Sequence, residues 1–122
     1  MSTRSVVTEF ARQFYDERDV VGAFGRFVAP DYLQHNPGIA DGRDAAIAAL
    51  AGTWSSPDLR LAVTSILVDG DTAVLLIDGQ FGAATRFAVV DVYRVEGDMI
   101  VEHWDVKQEF PPDIVGEYPF FS

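Results

Sequence analysis

The hydrophobic periodicity of this chain changes once, near residue 57, and that change limits the folds open to it. Before residue 57, apolar residues recur at intervals of three and four, which predicts amphipathic helices. From Leu59 onward, apolar and polar residues alternate, which predicts strands. Helices followed by a run of antiparallel strands indicate an α+β domain in which the helices cover one face of a curved sheet.

Three helices are predicted in the first half. The first is capped by Ser2, Thr3 or Ser5, the second begins near Asp19 and ends before Pro30, and the third covers residues 43–54. Between the last two helices, residues 31–38 form an extended segment with a turn, because Pro37 disfavours the α conformation of the residue before it. The predicted buried stripes of the first two helices are Val6, Val7, Phe10, Ala11 and Phe14, and Val20, Val21, Phe24, Phe27 and Val28.

The second half predicts an antiparallel meander of four strands. The strands begin near residues 59, 72, 85 and 99, and the turns between the first and last pairs are Asp69-Gly70-Asp71 and Glu96-Gly97-Asp98. The prolines at 111 and 112 end the last strand. With no repeat or linker in its 122 residues, the chain is predicted to form one domain spanning residues 1–122.

Composition excludes several classes of function. A formal net charge of −10 and a pI of about 4.3 repel phosphate backbones and anionic lipids, so neither a nucleic acid nor a membrane is an expected partner. The chain has no cysteine, which rules out disulfides, zinc thiolates and cysteine nucleophiles. No signal peptide is visible and no apolar run has the length of a membrane span, so we expect a cytoplasmic protein.

Metal and cofactor motifs are also missing from the sequence. Two histidines, His35 and His103, are too few for a three-histidine site, and their spacing does not demand a shared site with a carboxylate. No nucleotide-binding loop or nucleophile elbow is present. We therefore expect neither a metal nor a cofactor.

The last hairpin predicts which side chains share a face of the sheet. A two-residue turn at Gly97-Asp98 places Asp91 opposite Trp104, and the same count pairs Tyr93 with Glu102 and Phe87 with Gln108. Alternation then predicts two sets of side chains. One face holds Phe87, Val89, Asp91, Tyr93, Glu102, Trp104, Val106 and Gln108, and the other holds Ala88, Val90, Val92, Val101, His103, Asp105 and Lys107.

The first of these faces is apolar and aromatic except for its two carboxylates, Asp91 and Glu102. Desolvation raises the pKa of a carboxylate in such surroundings, which suits a general acid or base near neutral pH. The alternative is a structural carboxylate held by an arginine, such as Arg86 or Arg94, or by backbone donors. On the other face, His103 and Asp105 could touch and orient an imidazole, or could form a polar edge that faces solvent or a second subunit.

Two segments resemble a known family. Tyr32-Leu33-Gln34-His35-Asn36-Pro37, followed by Gly42, is similar to a segment of SnoaL-like proteins of the NTF2-like superfamily, and residues 91–94 with 96–108 resemble that family's terminal hairpin. The resemblance implies a cone-shaped half-barrel around an apolar pocket and a homodimer formed through the outer surface of the sheet. It also implies acid/base chemistry on a small apolar ligand without a cofactor.

The resemblance also implies roles for single residues. His35 lies where the family has a pocket histidine, so His35 and Asp91 are the predicted catalytic pair. Gln108 stands where the polyketide cyclases tend to carry a catalytic aspartate, and an amide cannot act as a base. His35 and Asp91 would therefore have to supply the proton transfer. The predicted substrate-binding residues are Tyr32, Phe87, Val89, Tyr93, Glu102, Trp104 and Gln108.

These observations favour a cofactor-independent acid/base enzyme of SnoaL-like type that acts on a small apolar carbonyl compound, as a cyclase, isomerase or aldol-type lyase. The alternative is a module of the same fold that binds a small hydrophobic molecule or assembles as a dimer without catalysis. Epoxide hydrolysis is less favoured, because Arg86 and Arg94 alternate out of phase with Asp91.

Overall fold

The computed structural model describes residues 1–122 and contains three α-helices, one short π-helical segment and five strands. The α-helices are α1 (Thr3–Ala11), α2 (Val20–Phe27) and α3 (Arg43–Trp54), and the π-helical segment is Arg12–Asp16. The strands are β1 (Val28–Gln34), β2 (Leu59–Asp69), β3 (Thr72–Phe81), β4 (Thr85–Glu96) and β5 (Met99–Glu109). The predicted α+β class is confirmed.

The five strands form one mixed sheet in the order β1-β5-β4-β3-β2. Strands β2 to β5 are the predicted antiparallel meander, whereas β1 pairs in parallel with β5. The sequence predicted only an extended segment with a turn at residues 31–38, so the fifth strand was missed. A parallel partner far along the chain leaves no local turn signal in the sequence, which is why the pattern could not reveal it.

The helices begin and pack largely as their sequences predict. The side chain of Ser2 accepts a hydrogen bond from the Ser5 amide at the start of α1, and Asp19 caps α2 through the Gly22 amide. The buried stripe of α1 is confirmed, but Val21 is 63% exposed and does not belong to the buried face of α2. The buried positions of α2 are Val20, Ala23, Phe24 and Phe27, which keep helical spacing. None of the helices is long and apolar enough to cross a bilayer.

A β-bulge in β5 changes the register of the last hairpin. Glu96 pairs with Met99 as predicted, but Val95 pairs with Ile100 and Arg94 with Glu102, so Val101 is an extra residue without a partner. Beyond the bulge, every side chain of β5 points to the face opposite the predicted one. The observed pairs are Asp91 with Asp105, Tyr93 with His103, Val92 with Trp104 and Phe87 with Glu109.

The bulge overturns the predicted division of faces on β5. His103, Asp105 and Lys107 share the inner face with Phe87, Val89, Asp91 and Tyr93, and together they line the space beneath the helices. Glu102, Trp104, Val106 and Gln108 alternate with them and lie on the outer face. The prediction for β4 holds and that for β5 is wrong, because an extra residue inside a strand leaves no clear mark in the sequence.

Gly79 of β3 lies directly across from Phe87 of β4 and leaves room for its ring. A Cβ atom at Gly79 would approach the Phe87 ring carbons to between 2.1 and 2.7 Å. The absence of a side chain at Gly79 therefore fixes where the Phe87 ring lies in the wall of the inner face.

We expect Gly79→Ala to destabilise the fold by about 1–3 kcal/mol, because the Phe87 ring must move within a packed wall. Urea unfolding measures the change. The control is Gly25→Ala in α2, where nothing lies within 4 Å of the added carbon. That change should stabilise by about 0.5–1 kcal/mol through helix propensity. Equal stability of Gly79→Ala and the wild type would contradict the close approach.

Candidate acid-base site

A cavity of about 430 Å³ lies between the helices and the inner face of the sheet. It is lined by 23 residues, of which 15 are hydrophobic. The polar lining side chains are concentrated on three strands, β1, β4 and β5, and on the loop after β1. They include Tyr32, Gln34, Asn36, Asp91, Tyr93, His103, Asp105 and Lys107.

Asp91 is the most deeply placed carboxylate of this cavity, with 7% of its surface exposed. Its Oδ2 atom accepts a hydrogen bond from the Tyr15 hydroxyl, and its Oδ1 atom lies 2.8 Å from His103 Nε2. A buried carboxylate is costly unless donors satisfy it, and here each oxygen has one.

The π-helical segment supplies Tyr15 to this site. The Tyr15 hydroxyl lies 2.6 Å from that of Tyr93, so a chain of two phenols leads to Asp91. Burial, followed by the nearby Asp91 charge, raises the pKa of both phenols well above the ordinary value. The two hydroxyls therefore remain proton donors throughout the neutral range.

The hydrogen bonds around His103 determine where its protons lie. Gln34 Oε1 accepts the Asn36 backbone N–H at 3.0 Å, which fixes that atom as the amide oxygen. Because His103 Nδ1 lies 2.8 Å from the same oxygen, Nδ1 must carry a proton. The other nitrogen, Nε2, faces Asp91. A single proton is consequently shared between His103 Nε2 and the Asp91 carboxylate.

Tyr32 adds a hydrogen-bond donor to the cavity wall. Its hydroxyl accepts a hydrogen bond from Gln34 Nε2 at 2.7 Å, while its own proton has no acceptor within the protein. Burial raises the pKa of Tyr32 to about 12, so the phenol is protonated at neutral pH. The Tyr32 hydroxyl can therefore donate to an oxygen atom of a bound molecule.

Asp105 brings a second carboxylate close to His103. Its two oxygens accept from Asn36 Nδ2 at 3.0 and 2.9 Å, and Oδ2 lies 3.8 Å from His103 Nε2. One ligand atom each from Asp91, His103 and Asp105 lie within 4.8 Å of one another, so these residues could hold a divalent cation if His103 Nε2 lost its proton.

His35 lies outside the cavity, in a cluster on the outer face. Its Nε2 atom is 2.7 Å from Glu102 Oε2, and its ring stacks on Trp104 at 4.8 Å between ring centres. Glu102 also accepts a hydrogen bond from Arg94 at 2.8 Å. The hydrogen bonds from His35 and then Arg94 lower the pKa of Glu102. This cluster is separate from Asp91.

Comparison with known proteins agrees with this architecture. Residues 7–103 match the family model of the SnoaL-like domain. The chain belongs to the SnoaL-like domain family. No curated protein matches its sequence significantly.

Solved structures of similar fold share little sequence with this SnoaL-like domain. An NTF2-like protein of unknown function from Mesorhizobium loti is 19% identical, with a TM-score of 0.74 and coverage of 87% of this chain and 90% of its own. A candidate polyketide cyclase from Acidithiobacillus ferrooxidans is 19% identical over 88% of each chain, with a TM-score of 0.66. AclR, a candidate hydroxylase from Streptomyces galilaeus, is 21% identical over 87% of this chain and 88% of its own, with a TM-score of 0.70.

The structure brings together part of the predicted site of this SnoaL-like domain. Asp91, Tyr32, Phe87, Val89 and Tyr93 line the cavity as expected. Four predicted residues do not line it: His35, Glu102, Trp104 and Gln108.

Five residues of the hydrogen-bonded network were missing from the predicted site. His103 and Asp105 were recognised as a pair on one face, but the bulge places that face inward. Gln34 and Asn36 lay within the family-like segment without assigned roles. Tyr15 follows α1 and gave no signal, because its direction depends on the π-helical turn.

The buried phenols predict a loss of stability at high pH. The pKa values of Tyr15 and Tyr93 are raised in the folded state and ordinary, about 10, in the unfolded chain. The stabilisation that comes from these protons is therefore fully present below about pH 10 and lost as the pH rises further. Urea unfolding between about pH 8 and about pH 11 should show a falling free energy of unfolding.

Tyr15→Phe and Tyr93→Phe should each flatten this pH dependence, because each removes one buried phenol. Tyr118→Phe is the matched control, since Tyr118 is 78% exposed and should leave the slope unchanged. A slope that is the same in all three variants would show that the buried phenols are not its source.

Proposed function

We propose that this SnoaL-like domain is a cofactor-independent acid/base enzyme that acts on a small apolar carbonyl compound. The reaction would be of the cyclase, isomerase or aldol-lyase type. One observation carries the proposal: His103 Nε2 lies 2.8 Å from Asp91 Oδ1 in the wall of a cavity that is otherwise mostly hydrophobic, and a contact this short needs a proton between the two atoms. A pair of this kind can take a proton from a ligand and return it elsewhere.

Asp91 acts as the base. Its carboxylate takes a proton from a carbon next to the ligand's carbonyl group, and the electron pair of the broken C–H bond forms the enolate. The Tyr32 hydroxyl donates a hydrogen bond to the oxygen on which the negative charge develops. The proton then returns to another atom of the enolate, which completes an isomerisation. Alternatively, the enolate carbon attacks a second carbonyl in a ring closure, the C=O π bond breaks, and the new alkoxide oxygen takes the proton back from Asp91. The apolar lining limits competition from water.

His103, rather than His35, is the acid/base partner in this proposal. Its Nε2 atom is 2.8 Å from Asp91, and Gln34 fixes the ring through Nδ1. The His35 imidazole is hydrogen-bonded to Glu102 on the outer face and makes no hydrogen bond to the side chains of the Asp91 network. Tyr15 and Tyr93 support Asp91 from the other side through their hydroxyl chain.

The second candidate function is binding of an apolar molecule without turnover. The hydrophobic cavity lining supports such binding. Fifteen hydrophobic lining residues would hold an apolar molecule whether or not Asp91 and His103 move a proton. Proton exchange on a bound ketone separates the two functions, because binding alone leaves the exchange rate unchanged.

The test is exchange of the acidic hydrogens of β-tetralone and β-indanone in deuterium oxide, followed by proton NMR. We expect the wild type to accelerate exchange and Asp91→Asn to lose about 100-fold of that rate, because an amide cannot accept the proton. His103→Gln should lose at least about tenfold, since it removes the shared proton. Asp78→Asn is the matched control, because Asp78 pairs with Ala88 and is not a cavity residue.

His35→Ala separates the two histidine assignments. A catalytic His35 would make this variant as slow as His103→Gln, whereas the cavity geometry predicts a rate near that of the wild type. Thermal shift with the same ketones reports binding. Ketones that bind without faster exchange would overturn the enzyme proposal in favour of a binding module, and failure of every ketone to bind would overturn the ligand class.

A homodimer formed through the outer face of the sheet also remains a proposal. Apolar side chains on that face are left partly or largely exposed by the single chain, with Val106 at 70%, Leu67 at 53% and Leu33 at 47%. The apolar side chains continue across β3, β4 and β5, and none of those on the outer face that are named below is buried. The set is Leu33, Leu67, Val74, Leu76, Val90, Val92, Trp104 and Val106. A stripe of this kind is typical of an interface.

Val92→Glu tests this interface, because it places a charge in the middle of the stripe. We expect sedimentation velocity to show a dimer for the wild type and a monomer for Val92→Glu at the same concentration. Asp44→Lys, a change of charge at an exposed position of α3 away from the outer face of the sheet, should remain dimeric. A monomeric wild type would contradict the proposal.

A further inference from the structure

Lys107 is the only lysine among the nine basic residues of the chain, and it lines the cavity. It lies on the inner face of β5, two residues beyond Asp105 and four beyond His103. No other lysine or arginine lines the cavity. Lys107 is therefore the one lysine or arginine of the cavity wall, and it lies on the same strand face as His103 and Asp105.

Lys107 has no carboxylate partner in the structure. Its Nζ atom lies over the ring of Phe87, 4.5 Å from the ring centre, and it takes part in no ion pair or hydrogen bond within the protein. The chain carries 19 acidic residues, so an unpaired cation here is not explained by a shortage of anions. The Nζ protons remain available to a bound molecule.

A second polar residue, Thr85, lies on the same face of β4 as Phe87. Thr85 precedes Phe87 by two residues on β4, so both side chains lie on the inner face, and both line the cavity. The Thr85 hydroxyl makes no hydrogen bond within the protein. The ammonium of Lys107 and the hydroxyl of Thr85 thus form a pair of unused donors near the Phe87 end of the cavity.

We propose that Lys107 and Thr85 form a subsite for a carboxylate group of the ligand. The ligand is then an apolar carboxylic acid whose anion lies at Lys107 and whose hydrophobic body fills the cavity. That this ligand also places a carbonyl group near Asp91 and His103 rests on the proposed function. The carboxylate subsite itself does not depend on turnover.

The strand geometry limits the length of such a ligand. His103 and Lys107 are four residues apart on an extended strand, so their Cα atoms are separated by about 13 Å. The Lys107 side chain extends over the ring of Phe87. Phe87 pairs with Glu109, so Lys107 reaches toward the open end of the β4–β5 hairpin, away from its turn. A compact compound of two or three rings, with the carboxylate and the carbonyl at opposite ends, fits this spacing.

The positive charge of Lys107 would also allow the cavity to accept anionic ligands. The chain has a net charge of −10, and Asp91 and Asp105 lie in the same cavity, so an anionic ligand would be repelled without a local cation. Lys107 is exposed to solvent, and lysine presents a compact charge on a flexible stem, which suits a single carboxylate at such a position.

Isothermal titration with a matched pair of ligands tests the proposal. The pair is β-tetralone bearing a carboxylate on its aromatic ring and the corresponding neutral carboxamide. We expect the wild type to bind the carboxylate about fivefold more tightly than the carboxamide. This preference should shrink as the ionic strength is raised from about 0.01 M to about 1 M.

Lys107→Met keeps most of the aliphatic stem over Phe87 and removes the charge, so it should bind both ligands equally. Thr85→Val should lose a smaller part of the preference, because it removes one neutral donor. Arg60→Gln is the control, since it removes the same charge from an exposed position of β2 outside the cavity and should keep the preference.

Equal binding of the two ligands by the wild type would overturn the subsite, as would failure of both to bind. An equal loss of preference in Lys107→Met and Arg60→Gln would also overturn it, because the effect would then come from net charge. The outcome is distinguishable from that of the proposed function. A carboxylate preference without proton exchange would retain the subsite and reject the enzyme, and exchange without a preference would do the reverse.

Discussion

The burial of one carboxylate, Asp91, in the wall of a mostly hydrophobic cavity is the constraint on which the inner face of this domain depends. A carboxylate without donors in such a place would cost more free energy than a domain of this size can spare. Tyr15 and His103 satisfy one oxygen each, and Gln34 in turn fixes the His103 ring. The two donors to Asp91 thus come from the first helical region and from β5, while an acceptor on β1 fixes the second donor, so the network joins the helices to both of these strands.

Two local irregularities bring these donors to Asp91. The π-helical turn after α1 directs the buried Tyr15 hydroxyl to Asp91, and the bulge at Val101 turns His103 and Asp105 inward. Each departs from a regular hydrogen-bond pattern, and such departures are concentrated at functional sites in proteins. Their coincidence at the two donors of Asp91 supports a chemical role for the pair, because a purely structural core would be filled more cheaply by apolar side chains.

The same bulge separates two surfaces with different properties. On the inner face, β5 contributes His103, Asp105 and Lys107 to the cavity. On the outer face it contributes Trp104 and Glu102, which hold His35 by stacking and hydrogen bonding. Adjacent residues of one strand therefore belong to the candidate ligand site and to a candidate interface between subunits. The His103–Trp104 dipeptide is a direct example, since its two rings lie on opposite sides of the sheet.

The sequence by itself determined the fold class, the three α-helices and the four strands of the meander, because period and turn residues are local properties. It also determined that Asp91, with Phe87, Val89 and Tyr93, would face the cavity, since alternation within β4 is unbroken. Only the tertiary structure decided which residues meet Asp91. The parallel partner of β1 lies far along the chain, the π-helical turn depends on packing, and one extra residue in β5 reverses the face of everything after it. His103 therefore replaced His35 at the candidate site for a geometric reason: a strand has a period of two, so a single bulged residue exchanges its two faces.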